Sequence, residues 1–153
     1  MIIAEELTKT NETLVIKHSE HLSHNIAYPF FLHQYAELME NGHTVKATNW
    51  DDNECGIIWG EIDGKVVGIF AYKKDQIKQK VLNILLTAVD KNHRNKGIHT
   101  ILNRYFENVA LDLDCKFTVA TVHPKNQTRL LTCEKDGMKI YYHKLYKEIG
   151  SKD

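Results

Sequence analysis

Apolar positions crowd together from Val81 to Val89 (VLNILLTAV), with few polar breaks. Such a run reads as a strand buried on both faces. It gives way to a polar, basic stretch, Asp90-Lys91-Asn92-His93-Arg94-Asn95-Lys96-Gly97. Apolar residues then return at Ile98, Ile101, Leu102, Tyr105, Phe106, Val109 and Leu113, the spacing of a helix with one apolar face. The pattern predicts a strand, a basic glycine-containing loop and a helix in succession.

On the N-terminal side the pattern is mixed up to Glu20, with one β-branched run, Thr13 to Lys17, reading as a first strand. His18, His21 and His24 follow at three-residue spacing, which on a helix would let two of them share a face and bind a metal. No Cys or carboxylate stands at ligand spacing beside them, so the expectation is a solvated helix entry and no metal site. Ser23 or Asn25 is the candidate N-cap. From Asn25 to Asn41 the amphipathic set Ile26, Phe30, Phe31, His33, Gln34, Leu38 and Met39 predicts a helix that stops at Gly42. Its aromatic start, Tyr28-Pro29-Phe30-Phe31, reads as core packing or as part of an acceptor pocket. Asn49 to Glu54 is an acidic loop, a solvated turn that would also attract a cationic acceptor. Gly56–Glu61 and Lys65–Tyr72 are strand-like runs joined by Asp63-Gly64, a strong hairpin signal. Lys73 to Lys80 reads as a charged turn, so that the hairpin continues into the Val81 strand as a meander.

After the helix, Asp112 to Lys116 is a turn, and Phe117 to Val122 is a strand that His123-Pro124 ends. Asn126 to Asp136 reads as a short helix with Leu130 and Leu131 as apolar contacts and Gly137 as its stop. Met138 to Tyr146 reads as a final strand before a frayed tail.

The loop before Ile98 has a definite chemistry. A helix start carries unpaired N–H groups and the positive end of the helix dipole. Gly97 lets a ligand approach the backbone, and Arg94 and Lys96 add positive charge. Together these suit a phosphate or diphosphate. The same pattern also describes an ordinary solvated strand-to-helix connection.

Arg94-Asn95-Lys96-Gly97-Ile98-His99 resembles the Arg/Gln-x-x-Gly-x-Gly/Ala signature of the GNAT superfamily of acyl-CoA-dependent N-acyltransferases, with His99 standing where Gly or Ala is usual. Asn126 to Met138 resembles that family's Asn-x-x-Ala-x-x-Leu-Tyr-Glu-Lys-x-Gly-Phe segment. Asn126, Glu134, Lys135 and Gly137 match in register, and Arg129, Thr132, Cys133 and Met138 depart. The order of elements from Gly56 to Tyr146 also follows the family. The resemblance implies an α/β (α+β) fold with a mixed, mostly antiparallel central sheet flanked by helices.

It further implies direct transfer of an acetyl group from acetyl-CoA, as cosubstrate, to an amine of a small molecule or protein. The cofactor-binding residues implied are Thr87, Ala88 and Val89 at the strand end, Arg94, Asn95, Lys96, Gly97, Ile98, His99 and Thr100 in the loop and helix start, and Asn126. A backbone N–H near Val89 would stabilise the thioester oxygen. Some members carry a Glu base at the position of Asn83, which here would only orient a water. Many carry a Tyr acid at the position of Cys133. A thiol with a reference pKa near ~8.5 is a possible substitute donor, and a small buried residue is the plainer reading. Tyr141 and Tyr142 are other donors, and Glu61 is the remaining base candidate. The alternative is a GNAT-fold CoA-binding or protein-interaction module that has lost catalysis, kept open by His99, Asn83 and Cys133.

Composition narrows the classes. A chain of 153 residues, 42% hydrophobic and 26% charged, suits one globular domain over 1–153. With a formal net charge of zero there is no field to draw in nucleic acid or an anionic membrane. Cys55, Cys115 and Cys133 form no CxxC pair, which suits reduced thiols and a cytoplasmic setting. The N-terminus lacks the basic start and apolar core of a signal peptide, and no stretch reads as a bilayer span. A homodimer is compatible with the family, and the acceptor region between the first strands is too variable to name the amine.

Overall fold

A computed structural model describes residues 1–44, 52–75, 77 and 80–139. Strands β1 (Ile2–Leu7), β2 (Thr13–Ser19), β3 (Cys55–Ile62), β4 (Lys65–Lys74), β5 (Val81–Val89) and β6 (Phe117–Ala120) form one sheet in sequence order. Every junction is antiparallel except β5–β6, which is parallel. Helices α1 (Tyr28–Glu40), α2 (Ile98–Asp112) and α3 (Gln127–Lys135) accompany it. This is the mixed, mostly antiparallel sheet with flanking helices that the sequence pattern and the resemblance imply.

Helices α1 and α2 pack on the sheet for reasons visible in their residues. Ile98, Leu102 and Phe106 of α2 bury against Leu14, Ile58, Phe70 and Tyr72 on one face. Phe31 of α1 buries with Trp59, Ile69 and Leu86 in a second core cluster. Burial of each such side chain contributes roughly 1.5–3 kcal/mol. Ile98 is the first residue of α2, so its burial anchors the helix start itself. Gly68 on β4 makes room for it, since a Cβ there would lie 3.0 Å from both Ile98 and Leu102. The Asp63-Gly64 turn has positive φ at both residues, 52° and 77°, the requirement of a tight primed turn. Helix α3 ends in a Schellman cap: Gly137 N–H bonds Glu134 O at 3.0 Å and Met138 N–H bonds Cys133 O at 3.0 Å.

Several expectations change. The first strand is Ile2–Leu7, and Thr13–Ser19 is the second. Ile2–Leu7 (IIAEEL) runs three apolar residues, two glutamates and a leucine at an edge, with no strand alternation to mark it. The His18, His21 and His24 spacing is not helical: His18 lies on β2, and helix α1 begins only at Tyr28. Ile26 precedes that helix and is exposed. Asn25 Oδ1 accepts the Ala27 N–H at 2.9 Å just ahead of the helix. Ser23 instead binds the Asp52 carboxylate, whose pKa those bonds lower.

The strand buried on both faces is not β5. Strands β3 and β4 have that property, whereas in β5 only Leu82 and Leu86 are buried. Strand β6 pairs only with the first half of β5, from Val81 to Ile84. The strand expected over Phe117–Val122 ends at Ala120. Leu130 and Leu131 are exposed rather than packed, and α3 has no fully buried residue. The final strand expected to Tyr146 falls outside the described residues from position 140 onward, as do Tyr141 and Tyr142. No helix among the described residues is long and apolar enough to cross a membrane.

Candidate functional site

The divergence of β5 from β6 creates the site. The ladder to β6 stops at Ile84↔Ala120, so among the described residues Leu85–Val89 has a strand neighbour only on the β4 side. The register to β4 also slips here. Ala71 faces Leu86 and Tyr72 faces Ile84, leaving Leu85 unmatched as a bulge. The backbone groups of Thr87, Ala88 and Val89 therefore line an open edge able to pair with an extended, peptide-like arm.

That edge runs into the basic loop. A one-turn 3-10 segment, Lys91–His93, follows Asp90, and the loop is braced by its own bonds. His93 Nδ1 donates to Asp90 Oδ2 at 2.8 Å, and Asp90 N–H donates to Val67 O at 2.7 Å. Asn95 and Gly97 both take the left-handed conformation, with φ of 65° and 81°, which glycine adopts without strain. Gly97 is the N-cap of α2. It has no side chain to satisfy the helix N–H groups, and the first turn holds no acidic residue. An anion is the natural partner for such an end.

The loop is also held from a place the sequence did not announce. Lys9 N–H, in the β1–β2 turn, donates to Lys96 O at 3.0 Å, and Lys96 Nζ pairs with Glu12 at 2.6 Å. That contact lowers the Glu12 pKa, chiefly through the Lys96 hydrogen bond. Lys96 thus braces the loop, while Arg94, like Lys91, is exposed and faces solvent.

The His99 ring leans on Phe70 at 5.0 Å between centroids, and its Nε2 donates to Asp136 Oδ2 at 2.8 Å. Asp136 caps α3, so this bond ties the first turn of α2 to the last of α3. Arg129, Cys133 and Asp136 sit at i, i+4 and i+7 on one side of α3. Burial pushes the Cys133 thiol up from its usual pKa, with Asp136 adding to the rise and Arg129 opposing it. The Asn126 side chain caps α3 by accepting Arg129 N–H at 3.1 Å.

The remaining candidates stand apart. Glu61 is almost wholly buried on β3, its Oε2 accepting from Trp59 Nε1 at 2.7 Å and from Lys17 Nζ at 2.9 Å. It sits toward the loop end of the sheet, since its neighbour Gly60 pairs with Gly68, which pairs with Val89. Asn83 lies two residues before the Leu85 bulge, and its amide donates to Asp75 Oδ2 at 3.1 Å.

Arg129 is not among the candidate residues that the sequence offers. Its Nη1 and Nη2 are closed off from solvent and make no hydrogen bond, and the Asp136 carboxylate is 3.8 Å away. The signal available was its departure from the small residue of the similar motif. An uncapped helix start beside a cation with unmet donors fits the phosphate-bearing end of a coenzyme A thioester.

A profile of the acetyltransferase (GNAT) family matches residues 22–138. No curated protein matches the chain significantly. Among solved structures, one similar fold is the aminoglycoside acetyltransferase meta-AAC0020, from an uncultured soil metagenomic sample, in complex with sisomicin. The identity is 14%, the TM-score 0.64, and the match covers 91% of this chain and 97% of that one. Aminoglycoside N-acetyltransferase AAC(6')-Iy in complex with CoA gives 13%, 0.64, 89% and 99%. The ribosomal-protein-alanine N-acetyltransferase of Brucella melitensis biovar Abortus 2308 gives 15%, 0.66, 89% and 99%. At these identities the likeness is one of fold.

Proposed function

Because the chain belongs to the GNAT acetyltransferase family, we propose that it transfers an acetyl group from acetyl-CoA to an amine by direct attack in a ternary complex. The observation that carries this reading is the open edge of β5 running into an uncapped α2 start at a left-handed Gly97. Strand edge and helix start together match an extended arm that ends in phosphates. Both kinds of acceptor in the similar structures, an aminoglycoside and a protein alanine, stay within it.

Acetyl-CoA, when bound, supplies an acetyl group activated as a thioester. In this reading Arg94 and the N–H groups of Ile98, His99 and Thr100 bind its anionic end, with Asn95, Lys96 and Gly97 shaping the loop. Thr87, Ala88 and Val89 hydrogen-bond its arm, and a backbone N–H near Val89 stabilises the oxygen that gains charge. Holding the two reactants in register accounts for much of the acceleration. Cys133 holds a proton on Sγ for the departing thiolate, and its raised pKa keeps that proton in place at neutrality. Glu61 takes the amine proton through a water, and Asn83 orients a water.

Cys133 in place of the family's Tyr, together with the engagement of Asn83 by Asp75, favours a second reading. In it the fold binds CoA and catalyses weakly or not at all.

A thermal melt with and without acetyl-CoA tests the first step, with Gly97→Glu as control. At a hundredfold excess over Kd, binding adds about 2.7 kcal/mol, a rise of roughly 5–10 °C for a chain of this size. A rise in the wild type that the variant lacks is expected, followed by turnover on a panel of amines. A well-folded wild type that does not shift overturns the cosubstrate reading. A shift without turnover on any amine leaves the second reading standing.

A further inference from the structure

We infer that Arg129 is a ligand of the phosphate-bearing end of the cosubstrate, aimed by the Asp136–His99 pair; this rests on the acetyl-CoA reading above. A guanidinium is always charged and carries five donors. Nη1 and Nη2 of Arg129 are buried without a hydrogen-bond partner. Leaving charged donors unmet in a dry site is unfavourable, and native interiors rarely keep such groups without a use.

The anion that faces it among the described residues is already committed. Asp136 Oδ2 takes the His99 Nε2 hydrogen bond at 2.8 Å and stands 3.8 Å from Arg129 Nη1, beyond hydrogen-bond reach. Asp136 therefore orients the guanidinium without satisfying it. Through the same oxygen it holds Arg129 close to His99, the second residue of α2. Two groups seeking negative charge thus converge, a guanidinium with free donors and a helix start with no side-chain cap. A cationic or neutral amine acceptor would leave both unmet. A phosphate oxygen would satisfy both, and a planar fork suits it geometrically.

The test is calorimetric titration of the full chain with CoA, which reads binding without turnover. Arg129→Met keeps the buried stem and removes the donors. Its Kd for CoA should rise about tenfold to a hundredfold, the usual weight of a hydrogen bond to a charged group. Arg129→Lys, with a point charge and no fork, should fall between. Because the unliganded guanidinium is unsatisfied, Arg129→Met should melt no lower than wild type without ligand. Pantetheine, which lacks the phosphates, should bind wild type and Arg129→Met alike.

If wild type binds CoA and Arg129→Met binds it within twofold, the inference fails and the cosubstrate reading survives. It fails in the same way if pantetheine loses as much affinity as CoA, or if unliganded Arg129→Met melts well below wild type. A wild type that binds no CoA overturns both.

Discussion

Replacing Lys17 by Met separates a buried carboxylate from its countercharge while preserving side-chain length. In the native protein Glu61 Oε2 accepts from Lys17 at 2.9 Å and from Trp59 at 2.7 Å, with the Glu61 side chain 6% exposed and that of Lys17 28%. In Lys17→Met the carboxylate keeps, among the described residues, only the Trp59 N–H donor, and almost no water. Removing one partner of a buried pair costs about 3–5 kcal/mol. Glu61→Gln is milder. An amide oxygen still accepts from Trp59, and the partly exposed ammonium turns to solvent, so the loss is about 1–2 kcal/mol. For a chain of this size each kcal/mol lowers Tm by roughly 2–4 °C, so Lys17→Met should melt about 6–20 °C lower near neutrality. Urea unfolding of wild type and both variants near neutrality measures this. A Lys17→Met loss under about 1 kcal/mol, or a loss no larger than that of Glu61→Gln, would refute the reasoning.

Gly56→Ala should destabilise by about 1–3 kcal/mol in urea, because its Cβ would collide with the Tyr72 hydroxyl, which shares a 2.8 Å hydrogen bond with His18. Burial depresses the pKa of His18 below its ordinary value. Its contribution is thus fully present above about pH 6.5 and is lost as pH falls through the folded pKa, so His18→Gln should flatten the acid side of the stability curve. The Cys133 thiol, raised by burial, should react with an alkylating reagent more slowly than a free thiol at neutral pH. Cys133→Tyr should raise turnover on an accepted amine if this position donates the proton, and an unchanged rate would remove it from that role.

Much of the fold was determined by local sequence, because its signals are short-range. Asp63-Gly64 specified a hairpin through its tolerance of positive φ, and Gly42 and Gly137 ended α1 and α3 for the same reason. The apolar period from Ile98 placed α2, and the basic Arg94–Gly97 stretch marked the candidate anion site. Burial was less legible. The apolar run of β5 looked like a doubly covered strand, yet only Leu82 and Leu86 in it are buried. Which faces are covered depends on what packs against them, and no local pattern carries that.

Only the tertiary structure decided which charges meet. Lys96 is spent on Glu12, 84 residues away, although beside Arg94 it read as a phosphate ligand. His99 turns to Asp136, 37 residues on. Arg129 is left with unmet donors beside them. A side chain's propensity is set by its immediate neighbours, but its partner is chosen by distance in space. Here the packing of α2, α3 and the β1–β2 turn brings together groups that the chain keeps far apart.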